Sequence, residues 1–135
     1  MSLRSIWLCP LFMMAGCSQP SQPWSRAAIK LEQRLASAGH EVTAERALDA
    51  SHLGFVCWID EGEELRGPVD AGARSLGQVP DGQIGILYRS DAGLAAVIIP
   101  RATLLAYQGT QCFDGHARWV RNGEGVWALE GQRLP

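Results

Sequence analysis

Leu53-Gly54-Phe55-Val56-Cys57-Trp58-Ile59 carries apolar side chains at odd and even positions alike. A strand shows its side chains alternately to two faces, so this run predicts a central strand covered on both sides. The rest of the chain has to supply strand neighbours and two covering layers.

The neighbours follow on the C-terminal side. Pro80-Asp81-Gly82 is a turn, the proline presetting φ and the glycine admitting a positive one. It leads into Gln83 to Arg89, where Ile84, Ile86 and Tyr88 share a face. Ser90-Asp91-Ala92-Gly93 then reverses the chain into the Val- and Ile-rich run Leu94 to Ile99, which completes a hairpin. Pro100 breaks that strand, and Ala102 to Gln108 fits either another strand or a short helix starting at the proline. Gly109 releases the chain toward Cys112.

Past the Asp114-Gly115 turn, His116 to Arg121 and Val126 to Leu129 form a second hairpin around Asn122-Gly123-Glu124-Gly125. A two-residue loop at Asn122-Gly123 or at Gly123-Glu124 gives the same side-chain parity. Arg118, Val120, Trp127 and Leu129 then share one face; Trp119, Arg121, Val126 and Ala128 share the other. Either the ribbon is covered on both sides or one indole faces solvent; the first face is the more apolar, so Trp119 is expected to be the more exposed. Beside Arg121 it has the composition of a partner-binding anchor, and equally of a semi-buried rim residue.

On the N-terminal side, Trp24, Ala28, Leu31, Leu35 and Ala38 recur at helical spacing as one apolar stripe. Ser25 is placed to cap this helix and Gly39 to end it, with Arg26, Lys30 and Gln33 on the opposite side. Trp24 is a second candidate partner contact, because the helix can be presented outward as well as packed on a sheet. Between His40 and Ala50 two patterns compete. Val42, Ala44 and Leu48 fit a half-buried strand, whereas Thr43 before Ala-Glu-Arg-Ala-Leu fits the cap of a short helix. The strand is preferred. Asp60 to Asp70 reads as a solvated acidic loop, without the Asp-x-Asp-x-Asp-Gly order of a calcium site. Ala71 to Gln78 has no period.

Met1 to Cys17 is a different kind of sequence. Arg4 is its one charge, Ile6 to Ala15 is apolar except for Pro10, and Ala15-Gly16 is a small pair directly before a cysteine. A run of about ten apolar residues suits the h-region of a signal peptide and is too short to span a ~30 Å hydrocarbon core. Met14-Ala15-Gly16-Cys17 resembles the lipobox of bacterial lipoproteins, with methionine where that family prefers leucine. The resemblance covers these residues alone. It implies cleavage after Gly16, a diacylglycerol on the Cys17 sulfur and a further acyl chain on its freed amine. Ser18, where an aspartate would retain the protein in the inner membrane, implies the periplasmic face of the outer membrane. Ser18-Gln-Pro-Ser-Gln-Pro23 reads as a polar tether reaching roughly 20 Å when extended at ~3.1 Å per residue. A single α+β domain is expected from residue 24 to residue 135.

If Cys9 leaves with the leader and Cys17 is acylated, Cys57 and Cys112 remain. An even pair in an oxidising compartment reads as a disulfide. The whole chain has a net charge of −2, which gives no electrostatic footprint for nucleic acid.

Chemistry is sparse. Asp49, Ser51 and His52 are neighbours in sequence, but a triad is defined by spatial roles. Asp114 and His116 flank a glycine turn with no third ligand or nucleophile spaced to join them. No phosphate loop, Gly-x-Ser-x-Gly, His-Glu-x-x-His or Cys-x-x-Cys occurs. The expectation is therefore no catalytic residues, no metal and no cofactor. In fold, one N-terminal helix packs on an antiparallel, meander-like sheet stapled by Cys57–Cys112. In function, the expected role is a non-catalytic binding or assembly factor, comparable in size and anchoring to pilotin-type accessory lipoproteins. The alternative is a periplasmic inhibitor or ligand binder, comparable to lysozyme-inhibitor lipoproteins, working through the Asp60 to Arg66 loop or the Asn122 turn.

Overall fold

The computed structural model describes residues 23–68, 74–100 and 108–135. The lipobox, Cys17, the tether up to Gln22 and the ambiguous stretch 102–107 lie outside the described residues. The elements are α1 (Pro23–Ser37), β1 (Glu41–Thr43), α2 (Ala44–Leu48), β2 (Phe55–Ile59), β3 (Gln83–Ser90), β4 (Gly93–Pro100), β5 (Gln111–Asp114), β6 (Arg118–Arg121), β7 (Trp127–Glu130) and β8 (Arg133–Leu134). They make an α+β fold with two antiparallel sheets, one of five strands in the order β4-β3-β2-β5-β8 and one of three in the order β1-β6-β7.

β2 is the middle strand of the larger sheet, and all five of its residues are buried. Its alternation divides the interior in two. Val56 and Trp58 enter a core shared with α1, α2 and the smaller sheet, including Leu31, Leu35, Ala47, Phe113, Trp119, Trp127 and Leu129. Phe55, Cys57 and Ile59 enter a second core on the other face, closed by Leu65 and Val79. The double-sided burial follows from the two-parity apolar run.

Cys57 and Cys112 form the disulfide. They are directly opposed across β2 and β5, 55 residues apart in sequence. The bridge therefore joins two strands that also share ladder hydrogen bonds.

Four local expectations are corrected. The first helix begins at Pro23, so Ser25 lies inside it and does not cap it. Proline suits a first helical position because its fixed φ is already helical and its missing N–H would find no partner there. Between residues 40 and 50 the chain is mainly a capped helix, and only Glu41–Thr43 is strand. The Thr43 hydroxyl accepts from the Arg46 N–H at 3.2 Å, and Ala44, Ala47 and Leu48 bury at helical spacing.

The acidic loop after β2 is also not simply solvated. Asp60 to Glu64 stay in contact with solvent, but Leu65 is buried. Backbone bonds from Gly62 and to Glu63 tie the loop to Val79, and Leu65 bonds Gly77 and Leu76. It becomes the lid of the second core.

The last hairpin has a three-residue loop. The Asn122 N–H donates to the Val126 carbonyl, and Gly125 adopts φ 82°. A turn followed by a left-handed glycine is the usual three-residue closure. The Asn122 side-chain oxygen fastens it by accepting from the Glu124 and Val126 N–H groups at 2.8 and 3.0 Å. One residue more than the expected loop inverts the parity. Trp119 opposes Leu129 and Arg121 opposes Trp127, so both tryptophans share a face with Leu129 and both turn inward.

Candidate binding groove

β1, α2 and the end of α1 border an open cleft. It has a volume of about 590 Å³ and is lined by Arg34, Ser37, Ala38, Glu41, Val42, Thr43 and Arg46. Arg34 projects from the end of α1, where a cation complements the helix dipole. Its guanidinium donates to the Ala47 carbonyl at 3.2 Å and lies 3.6 Å from the Asp49 carboxylate, so it clamps α1 to α2. The Glu41 carboxylate lies 3.7 Å from Arg118 on the neighbouring strand. Arg46 is exposed and has no anionic partner among the described residues. The cleft thus holds a cation, Arg46, with no ion-pair partner among the described residues.

β1 also brings backbone groups to this cleft. The bonds Ala44 N–H to Ala117 O and Arg121 N–H to His40 O fix the hydrogen-bonded pairs at residues 40, 42 and 44. In an antiparallel ladder the intervening residues direct their N–H and C=O the other way. Glu41 and Thr43 therefore face away from β6, on the outer edge of the three-stranded sheet. The opposite edge of that sheet is covered at Leu129. There the Gln108 amide accepts from the Leu129 N–H at 2.7 Å and donates to its carbonyl at 2.8 Å, as a strand neighbour would.

The residues singled out from sequence lie elsewhere. Trp119 has no exposed surface and packs its ring 6.1 Å from that of Trp58, so it belongs to the core and is not a surface anchor. Its Nε1–H is buried without an acceptor among the described residues. Arg121 is half-buried, with its guanidinium 5.4 Å from the centre of the Trp127 ring, beside a shallow pocket of about 240 Å³ with His40 and the Asn122 turn. Trp24 lies in the first turn of α1. Asp49, Ser51 and His52 do not converge: Asp49 approaches Arg34, and His52 Nδ1 lies 2.6 Å from Asp91 at the β3–β4 turn. That carboxylate raises the His52 pKa above its ordinary value, through the hydrogen bond first and its charge second. His116 donates its backbone N–H to the Asp114 carboxylate within their turn. Among the described residues no three His, Cys, Asp or Glu side chains gather as a metal site, and no helix is long and apolar enough to cross a membrane.

Arg34 and Arg46 line one groove because residues 44–48 are helical, which apolar periodicity alone does not show. Thr43 was the signal for that. No protein-family model, curated protein or solved structure matches the chain, which leaves this groove, the surface around it and the N-terminal sequence to speak for its role.

Proposed function

We propose that the chain is a lipid-anchored, non-catalytic binding or assembly protein of the bacterial envelope, held at the periplasmic face of the outer membrane through Cys17 and docking a protein partner in the groove between α1, β1 and α2. The observation that carries the docking is the coincidence in one cleft of an unmatched Arg46 with the free edge of β1. The anchor is supported by the lipobox-like Met14–Cys17 and by the disulfide, which suits an oxidising compartment. With two or more acyl chains such an anchor holds stably, each buried methylene contributing about 0.8 kcal/mol. The tether keeps the domain within roughly 20 Å of the bilayer at ~3.1 Å per residue, so the partner is expected at the membrane face.

Two experiments test this reading. Palmitate labelling and membrane fractionation should both be lost in Cys17→Ala; a variant that keeps its label or stays in the membrane removes the anchor. A photo-crosslinker at Ser37, on the rim of the groove, should yield one defined adduct with an envelope protein in cells. No adduct from Ser37 or Arg46 would remove the docking site.

The inhibitor reading has its own support in the Asp60–Arg66 loop, whose exposed carboxylates are carried on a lid braced by four backbone hydrogen bonds. Inhibition of a cell-wall hydrolase by the purified protein, abolished by Glu61→Lys and Glu63→Lys together, would favour it over the groove.

A further inference from the structure

We infer that the groove takes its partner as an extended acidic segment, which adds to β1 as a fourth strand of the small sheet and sets a carboxylate against Arg46. The inference rests on the docking reading above and names the chemistry of what docks.

Three observations carry it. First, β1 is an edge strand whose outward groups, the Glu41 N–H and C=O and the Thr43 N–H, have no partner among the described residues. The Thr43 carbonyl is excluded from that set because it begins α2. The β7 edge is covered by the Gln108 amide, whereas no described residue pairs with the outer side of β1. Second, the space beside this edge is a groove and not a flat surface. Ser37, at the end of α1, and Ala38, just after it, line it together with β1, and it holds about 590 Å³. An extended chain lying there meets β1 on one side and the helix on the other, the geometry of strand addition.

Third, the charge is one-sided. Arg34 is held by Asp49 and the Ala47 carbonyl, and Glu41 is held by Arg118, so Arg46 is the charge left for an incoming group. Arg46 stands at the end of the groove where β1 passes into α2. An arginine binds a carboxylate with two parallel N–H···O bonds, and a basic segment would meet it as like charge. A segment with carboxylates at alternate positions would put them all on one side, the periodicity of a strand.

The test uses the full chain purified in detergent and three fluorescein-labelled, C-terminally amidated octapeptides. One alternates Val and Asp; one alternates Val and Lys; the third is the acidic peptide methylated on alternate backbone nitrogens. Fluorescence anisotropy should show saturable binding of the acidic peptide, with the lysine and N-methylated versions at least tenfold weaker. Arg46→Glu should weaken the acidic peptide at least tenfold and strengthen the lysine one. Glu41→Pro should weaken the acidic peptide without unfolding the domain, since the N–H it removes points away from β6. Far-UV circular dichroism checks the fold of each variant.

Equal binding of acidic and basic peptides, or insensitivity to N-methylation, would overturn the inference. So would absence of binding. If β1 instead pairs with β1 of a second copy, the chain will sediment as a dimer that Glu41→Pro converts to monomer, which also overturns it. Failure of the peptides with an intact Ser37 adduct in cells leaves the groove a docking site of another chemistry; failure of both removes the docking reading as well.

Discussion

His52 and Trp119 show how single residues depart from what their neighbours in sequence suggest. His52 has φ 56° and meets Asp91, 39 residues away, rather than Asp49. Its raised pKa fixes the sign of its pH dependence. The protonated form is favoured in the folded chain, so the contribution is complete below the unfolded value of about 6.5 and is lost as pH rises through the folded one. Both side chains are largely exposed, so the effect on stability is small and weakens with salt. An NMR titration should place the His52 midpoint above the ordinary histidine value, and Asp91→Asn should return it there. A midpoint that does not move with Asp91 would show the pair is not formed in solution. Trp119 faces inward because the hairpin loop has one residue more than a two-residue turn, which inverts a whole hairpin face. Its complete burial makes Trp119→Ala a core truncation, expected to cost about 3–5 kcal/mol in chemical denaturation. An unchanged midpoint would mean the indole is not in the core.

At the scale of elements, the sequence was most legible where apolar periodicity was strong. β2, the β3–β4 hairpin and the α1 stripe read directly, because burial on one or both faces decides both the element and the pattern. It was least legible where few residues carry the decision. Between Glu41 and Leu48 a three-residue strand gives way to a five-residue helix, and a single side-chain bond from Thr43 marks the change. The groove lies at that join, so its residues stayed hidden with it. The Asp60–Val79 loop is obscure for another reason: Leu65, buried among its described residues, has no periodic company. Its contact with the sheet depends on Gly85. A Cβ at that position would come within 2.6 Å of Leu65 and 2.8 Å of Val79. Gly85→Ala should therefore lift the lid and destabilise the domain by about 1–3 kcal/mol, as overpacking does. Hydrogen exchange should show faster opening at Gly62 and Leu65 than in β2; equal protection with unchanged stability would show that the lid adapts.

For the molecule as a whole, the α+β class followed from the patterns, but the division into two sheets did not. That division depends on β1 pairing with β6 across some 75 intervening residues, which no local signal records. The disulfide is a second long-range constraint at this scale. The loop-entropy treatment gives about 4 kcal/mol for a crosslink of this span. Reduction, or Cys57→Ala with Cys112→Ala, should lower the melting temperature by about 10 °C or more, taking several degrees per kcal/mol for a domain of this size. An unaltered melt on reduction would mean that the bridge constrains nothing the sheet does not already hold.

The order of strands bears on when the chain can fold. β2 waits for β5, and β1 waits for β6, so neither sheet has its full set of neighbours until residues beyond 110 are present. Contacts this distant in sequence form late, because the intervening loop must first be closed. A chain ending before Gln111 lacks β5 beside β2 and β6 beside β1, and should be more open to proteases than the full one. β5 and β6 then act as a timer, withholding the packing of both sheets until they have emerged.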